Sequence, residues 1–81
     1  MTDKIVVQIP CLNEESTIGD VITQLKKKNR NAEIIVYDND SRDKSVEISK
    51  KHGVKVVTVM KRGKGNVVRR MFSDNLDAKF F

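Results

Sequence analysis

Three short runs rich in β-branched residues, Ile5 to Ile9, Ile34 to Tyr37 and Val54 to Val59, are separated by two stretches with helical spacing. That alternation restricts the chain more than any other feature. Strands that alternate with helices need crossover connections, which make the strands parallel and lay the helices on the sheet. The expected fold is therefore α/β: a Rossmann-like parallel sheet of about four strands in the order 3-2-1-4 with flanking helices. With 81 residues in all, one small domain spanning 1–81 is expected.

The individual elements follow from local chemistry. Lys4 to Ile9 reads as the first strand, nearly continuous in apolar residues as suits a strand covered on both faces, and Pro10 is expected to end it. Asn13 is the expected cap of the next helix, with Glu14 and Glu15 in its positive first turn. Ile18, Val21, Ile22 and Leu25 fall at i, i+3, i+4 and i+7, an amphipathic face that runs out near Lys28. The second strand is read over Glu33 to Asp38 and a second helix over about Asp43 to His52, where Gly53 supplies a left-handed stop. Val54 to Val59 is the third strand. A third helix is expected to bury Val67, Val68, Met71 and Phe72, and Ala78 to Phe81 reads as the opening of a fourth strand.

The second strand runs directly into Asp38-Asn39-Asp40-Ser41-Arg42-Asp43. In open α/β sheets ligands sit at the carboxyl ends of the strands, where loop side chains and helix amino termini converge. This cluster has more donors and acceptors than one helix cap needs. The same residue types also make ordinary turns and caps, with Ser41 or Asp43 in that role.

Charge narrows the partner class. Sixteen Lys and Arg against eleven Asp and Glu give a net charge of +5, which favours nucleotides, phosphates, nucleic acid or acidic headgroups. From Lys55 to Arg70 the chain carries Lys55, Lys61, Arg62, Lys64, Arg69 and Arg70 and no acid. Lys26, Lys27, Lys28 and Arg30 close the first helix, where they complement its dipole. Chemistry that needs clustered ligands or a triad is not expected, since there is one His and one Cys, and the aspartates at 38, 40 and 43 lack the glycine and terminal glutamate of a calcium loop. Cys11 fits a packing role in a reducing, cytoplasmic setting. Neither a secretory leader nor a membrane span is expected from the apolar runs. Gly63-Lys64-Gly65 fits neither a Walker loop nor a dinucleotide fingerprint, although its glycines and cations suit an anion-contacting loop.

Taken together, Ile9-Pro10-Cys11-Leu12-Asn13-Glu14-Glu15, Tyr37-Asp38-Asn39-Asp40-Ser41-Arg42-Asp43 and Arg62-Gly63-Lys64-Gly65-Asn66 resemble three segments of the family 2 glycosyltransferases. These are GT-A enzymes similar to dolichyl-phosphate mannosyltransferases. The resemblance implies a partial GT-A domain that binds a nucleotide-diphosphate sugar of UDP or GDP type through Pro10, Leu12, Glu14, Tyr37 and Asn39, with Asp38 supporting the loop and Lys64 facing the phosphates. It implies a divalent metal, Mg or Mn, for the whole family domain, held by an Asp-x-Asp motif expected after the fourth strand. No catalytic or metal-binding residue is therefore assigned within this chain, and it is expected to be inactive alone. A membrane-associated acceptor fits the family, as does a cytoplasmic site of action, including the membrane surface.

Asp40 stands where the family often has a small residue such as Gly. A sheet that stops at its fourth strand would expose an apolar edge, so self-association is a further expectation. The competing reading is a basic α/β module for nucleic acid or another polyanion. The scarcity of stacking aromatics, one Tyr, three Phe and no Trp, counts against it and against any specific nucleic-acid partner.

Overall fold

A computed structural model of the chain describes residues 5–60, 69–71, 74 and 79–80. Within these, the order of elements is β1 (Ile5–Cys11), α1 (Ile18–Lys28), β2 (Ala32–Asp38), α2 (Ser45–Lys51), β3 (Lys55–Thr58) and a two-residue β4 (Lys79–Phe80). β2 pairs in parallel with β1, from Ile5 with Ala32 to Cys11 with Asp38, and β3 pairs in parallel with β2. Lys79 and Phe80 lie parallel to Val7 and Gln8, so the strand order is β3-β2-β1-β4. The α/β expectation and the 3-2-1 order hold for the three full strands, to which β4 adds only this short pairing.

Each face of the sheet has its own core. On one, Val7, Ile9, Cys11, Ile34 and Val36 pack against Ile18, Ile22 and Leu25 of α1, with Ile48 of α2 beside them. Burying each of the three α1 side chains is worth roughly 1.5–3 kcal/mol, which is why the spacing read from sequence fixes the face of this helix. On the other face Ile35 and Tyr37 pack with Met71, and Val6, Val57 and Val59 adjoin them. Met71 is buried, as its helical pattern predicts, whereas Val67, Val68 and Phe72 lie outside the described residues.

Two local readings are corrected. Pro10 does not end β1, which continues through it to Cys11. The Cys11 carbonyl accepts the Asn39 N–H at 2.8 Å, so residues 9 and 11 are the positions that bond β2. The nitrogen of Pro10 points to the other side of β1 and breaks no bond to β2. Nor does Asn13 cap α1. The helix starts at Ile18 after a turn in which the Thr17 and Ile18 N–H groups both reach the Glu14 carbonyl. Gly53, by contrast, has the expected left-handed conformation, φ 76°, and its N–H donates to the Lys50 carbonyl. Gly19 has a different purpose, since a Cβ there would come within 3.0 Å of the His52 ring, so its lack of a side chain lets α1 approach α2.

Candidate functional site

Parallel pairing brings the loop after β1 and the loop after β2 together at the carboxyl end of the sheet. Three consecutive backbone N–H groups of the first loop are taken by side chains of the second and of Ser45, the first residue of α2. Asn13 donates to Ser41 Oγ at 2.9 Å, Glu14 to Ser45 Oγ at 2.7 Å and Glu15 to Asp43 Oδ2 at 3.0 Å. The exchange is reciprocal, because Asn13 Oδ1 accepts the N–H of Arg42 at 2.8 Å. Asn13 adopts φ 52° to do this, a conformation that Asn tolerates better than most residues.

A second tier holds the receiving side chains. Asp38 is almost fully buried and accepts both the N–H and the hydroxyl of Ser41. Asp43 Oδ1 accepts the N–H and hydroxyl of Ser45, so Asp43 orders the start of α2 while Ser41 does not. The carboxyl of Asp43 lies below its ordinary value of 3.8. Desolvation, the largest single influence, pushes it up, but hydrogen bonds from the Ser45 hydroxyl and N–H and from the Glu15 N–H together outweigh it. Burial pushes the Cys11 thiol up to about 11, more than the Ser45 hydrogen bond draws it down, which leaves the thiol protonated and unreactive. Asp40, where a small residue was expected, takes φ 61°, the left-handed geometry for which Asp is among the better side chains.

The residues singled out from sequence do not form one set. Pro10, Leu12 and Glu14 are exposed on this clasp, Leu12 at 43%, and Glu14 Oε2 accepts the Thr17 hydroxyl at 3.0 Å. Ile9, Pro10, Glu14, Thr17, Ile18 and Val21 line a hollow of about 200 Å³ beside them. Asp38 and Asn39 lie beneath, both buried, with Asn39 tied to Cys11 through its N–H. Tyr37 faces the other way. Its ring is buried, its hydroxyl donates to Asp74 Oδ2 at 3.0 Å and accepts from Gln8 Nε2, and Asp74 in turn pairs with Arg70. Lys64 lies outside the described residues. Among the described residues no group of acidic, His or Cys side chains is arranged to hold a metal ion.

Sequence reasoning took Asn13 for a helix cap and missed its bridging role, and it missed Ser45 and Gln8. The signal for the first was present, since Asn follows the strand end where a left-handed turn is wanted. Gln8 carried none, because a single amide inside an apolar strand gives no pattern. It is fully buried, donates to the Met71 carbonyl at 2.9 Å and leaves its Oε1 without a partner among the described residues.

A parallel sheet with a preformed polar loop cluster at its carboxyl end defines an α/β domain of the open-sheet class, in which ligands generally bind at that end. The chain matches the model of Glycosyl transferase family 2 over residues 6–74 and belongs to that family. It is 46% identical to Protein RfbJ of Shigella flexneri, over 95% of this chain and 59% of that one. It is 37% identical to 4,4'-diaponeurosporenoate glycosyltransferase of Staphylococcus haemolyticus, over 80% of this chain and 17% of the relative. Among solved structures, glucosyl-3-phosphoglycerate synthase from Mycobacterium tuberculosis, in complex with Mn2+, UDP and glucosyl-3-phosphoglycerate, superposes with a TM-score of 0.77 at 29% identity. That match covers 89% of this chain and 29% of the synthase. The chain thus spans less than two thirds of each of these proteins, and it corresponds to a part of the GT-A domain.

Proposed function

We propose that the clasped loops hold the nucleotide of a nucleotide-diphosphate sugar, of UDP or GDP type, and that this chain is the donor-binding part of a glycosyltransferase. The observation that carries the reading is the lock between residues 13–15 and 41–45. It fixes the end of β1 and the loop after it, with Pro10, Leu12 and Glu14 exposed, before any ligand arrives. Preorganisation of that kind lowers the entropic cost of binding.

In this reading Pro10 and Leu12 supply apolar contact to the base, the Glu14 carboxylate accepts from an N–H on the base edge, and Lys64 neutralises diphosphate charge. Asp38 and Asn39 act from beneath, keeping the loop in shape, and Tyr37 is assigned to packing of the opposite face. Support for UDP in particular comes from the synthase that superposes on this chain, whose complex contains it. The Mn2+ in that complex supports a divalent metal for the whole family domain, where it would offset charge on the leaving diphosphate. The described residues do not fit such an ion, because Asp38 and Asp43 are committed to Ser41, Ser45 and Glu15. The reading therefore gives this chain donor binding and leaves transfer to residues beyond those described.

Isothermal titration calorimetry with UDP, GDP and a random 20-mer oligonucleotide tests it. Saturable heat with one nucleoside diphosphate is expected. Heat with the oligonucleotide alone, vanishing at high salt, would replace the reading with a polyanion-binding module.

A further inference from the structure

The end of the sheet opposite the clasp has a composition of its own. α1 and α2 lie together on one face, and their last turns carry Lys26, Lys27 and Lys28, and Lys50 and Lys51. The two helix ends are tied, since Lys26 Nζ donates to the carbonyl of His52. Arg30 follows α1 and Lys55 begins β3. All seven cations are exposed. Lys26 and Lys55 flank a hollow of about 310 Å³ with Ile34, Gly53, Val54 and one acid, Glu33. Helix-dipole compensation accounts for the lysines in the last turns of α1 and α2. It was expected to cover Arg30 as well, but α1 ends at Lys28, so Arg30, like Lys55, lies outside both helices and extends the same charged end.

We infer that this basic end is a docking surface for an anionic lipid bilayer. Three features favour a bilayer over nucleic acid. Six of the seven cations are lysines, compact charges on long stems that reach a diffuse layer of headgroups, with little of the bidentate recognition that arginine gives phosphates. No Phe, Tyr or Trp lies among these residues, so the surface has no platform on which bases can stack. It is also the blunt end of two helices and a strand, and offers no helix flank to lie along a groove. Docking here leaves the exposed loop at the other end of the sheet open to a soluble ligand.

The test is vesicle co-sedimentation of the full 81-residue chain with neutral phosphatidylcholine vesicles and with vesicles containing 30% phosphatidylserine, at low and high salt. Binding to the anionic vesicles alone, abolished by high salt, is expected. Near such a surface each Lys or Arg strengthens binding roughly fivefold, so the Lys27→Gln, Lys28→Gln, Lys50→Gln, Lys51→Gln variant should lose on the order of 500-fold. Arg42→Gln with Lys44→Gln, whose side chains are exposed at the other end of the sheet, should lose far less than the roughly 25-fold that two cations at the docking surface would contribute. Equal losses per charge removed in the two variants, equal binding to neutral vesicles, or no vesicle binding beside tight, salt-sensitive binding to a duplex oligonucleotide would each overturn the inference.

Discussion

Asn13 Oδ1 accepts the backbone N–H of Arg42 at 2.8 Å, a bond that crosses from the loop after β1 to the loop after β2. Together with the three N–H groups captured in the opposite direction, it turns two surface loops into one body. What looks from sequence like a row of ligand-facing acids and amides is largely a brace, and it holds out the exposed side chains of Pro10, Leu12 and Glu14.

Removing the brace at its buried end should be costly. Asp38→Ala leaves the Ser41 N–H and hydroxyl without their acceptor, and since Ser41 is half-buried the cost should fall at the low end of the about 1–3 kcal/mol for an orphaned buried donor. Urea unfolding should register that loss. Ser41→Ala should approach it, because the same hydroxyl also receives the Asn13 N–H. Loss of both variants without a shift in midpoint would mean that the clasp contributes nothing to stability.

Of the three left-handed positions among the described residues, Gly53 and Asp40 should both favour glycine over a bulky side chain. Gly53→Ala, at φ 76°, should cost about 1–2 kcal/mol, the usual penalty of this backbone region for an L-residue. At Asp40, φ 61°, glycine should be tolerated, whereas Asp40→Val should be destabilising because a β-branched side chain fits this region worst. Thermal melting of the three variants checks the ordering.

Acid should open the clasp through Asp43. Its folded value is depressed, so the stability it contributes is fully present above its ordinary value of 3.8 and is lost as the pH falls through the lower folded value. Backbone amide shifts of Glu15 and Ser45, followed from pH 6 downward, should move together in that range. In Asp43→Asn that joint transition should be absent.

The Cys11 thiol should be silent. With burial pushing it to about 11, it should not react with a thiol reagent at pH 8 while the chain is folded, and should react fully in denaturant. Rapid labelling of the native protein would place the thiol at the surface and contradict the packing of β1 against α1.

Much of the fold was legible because its signals are local. The β-branched runs fixed β1, β2 and β3, the spacing of Ile18, Ile22 and Leu25 fixed the buried face of α1, and Gly53 marked the end of α2. The errors at Pro10 and Asn13 share a cause. Each residue was read by what it does to its own segment, whereas β2 lies beside Pro10 on the side that needs no N–H, and Arg42 draws Asn13 into a bridge. Partners in the clasp are 28 to 31 residues apart in sequence, a distance over which no periodicity speaks. The loop cluster was recognisable as a site candidate, but its division into brace and exposed face needed the pairing of β1 with β2. Tyr37 illustrates the limit: one position before Asp38, it points to the opposite core because strand side chains alternate.

The central claim is that the braced loop at residues 10–15 holds a nucleotide. Its most direct test is an NMR titration of the labelled chain with UDP and with GDP, each with and without Mn2+, alongside Asp38→Ala. The account predicts saturable shifts confined to the amides of 10–15, 37–43 and 61–66 for one of the two nucleotides, weakened in the variant. Spectra unchanged by both nucleotides at millimolar concentration, with the chain folded, would contradict it.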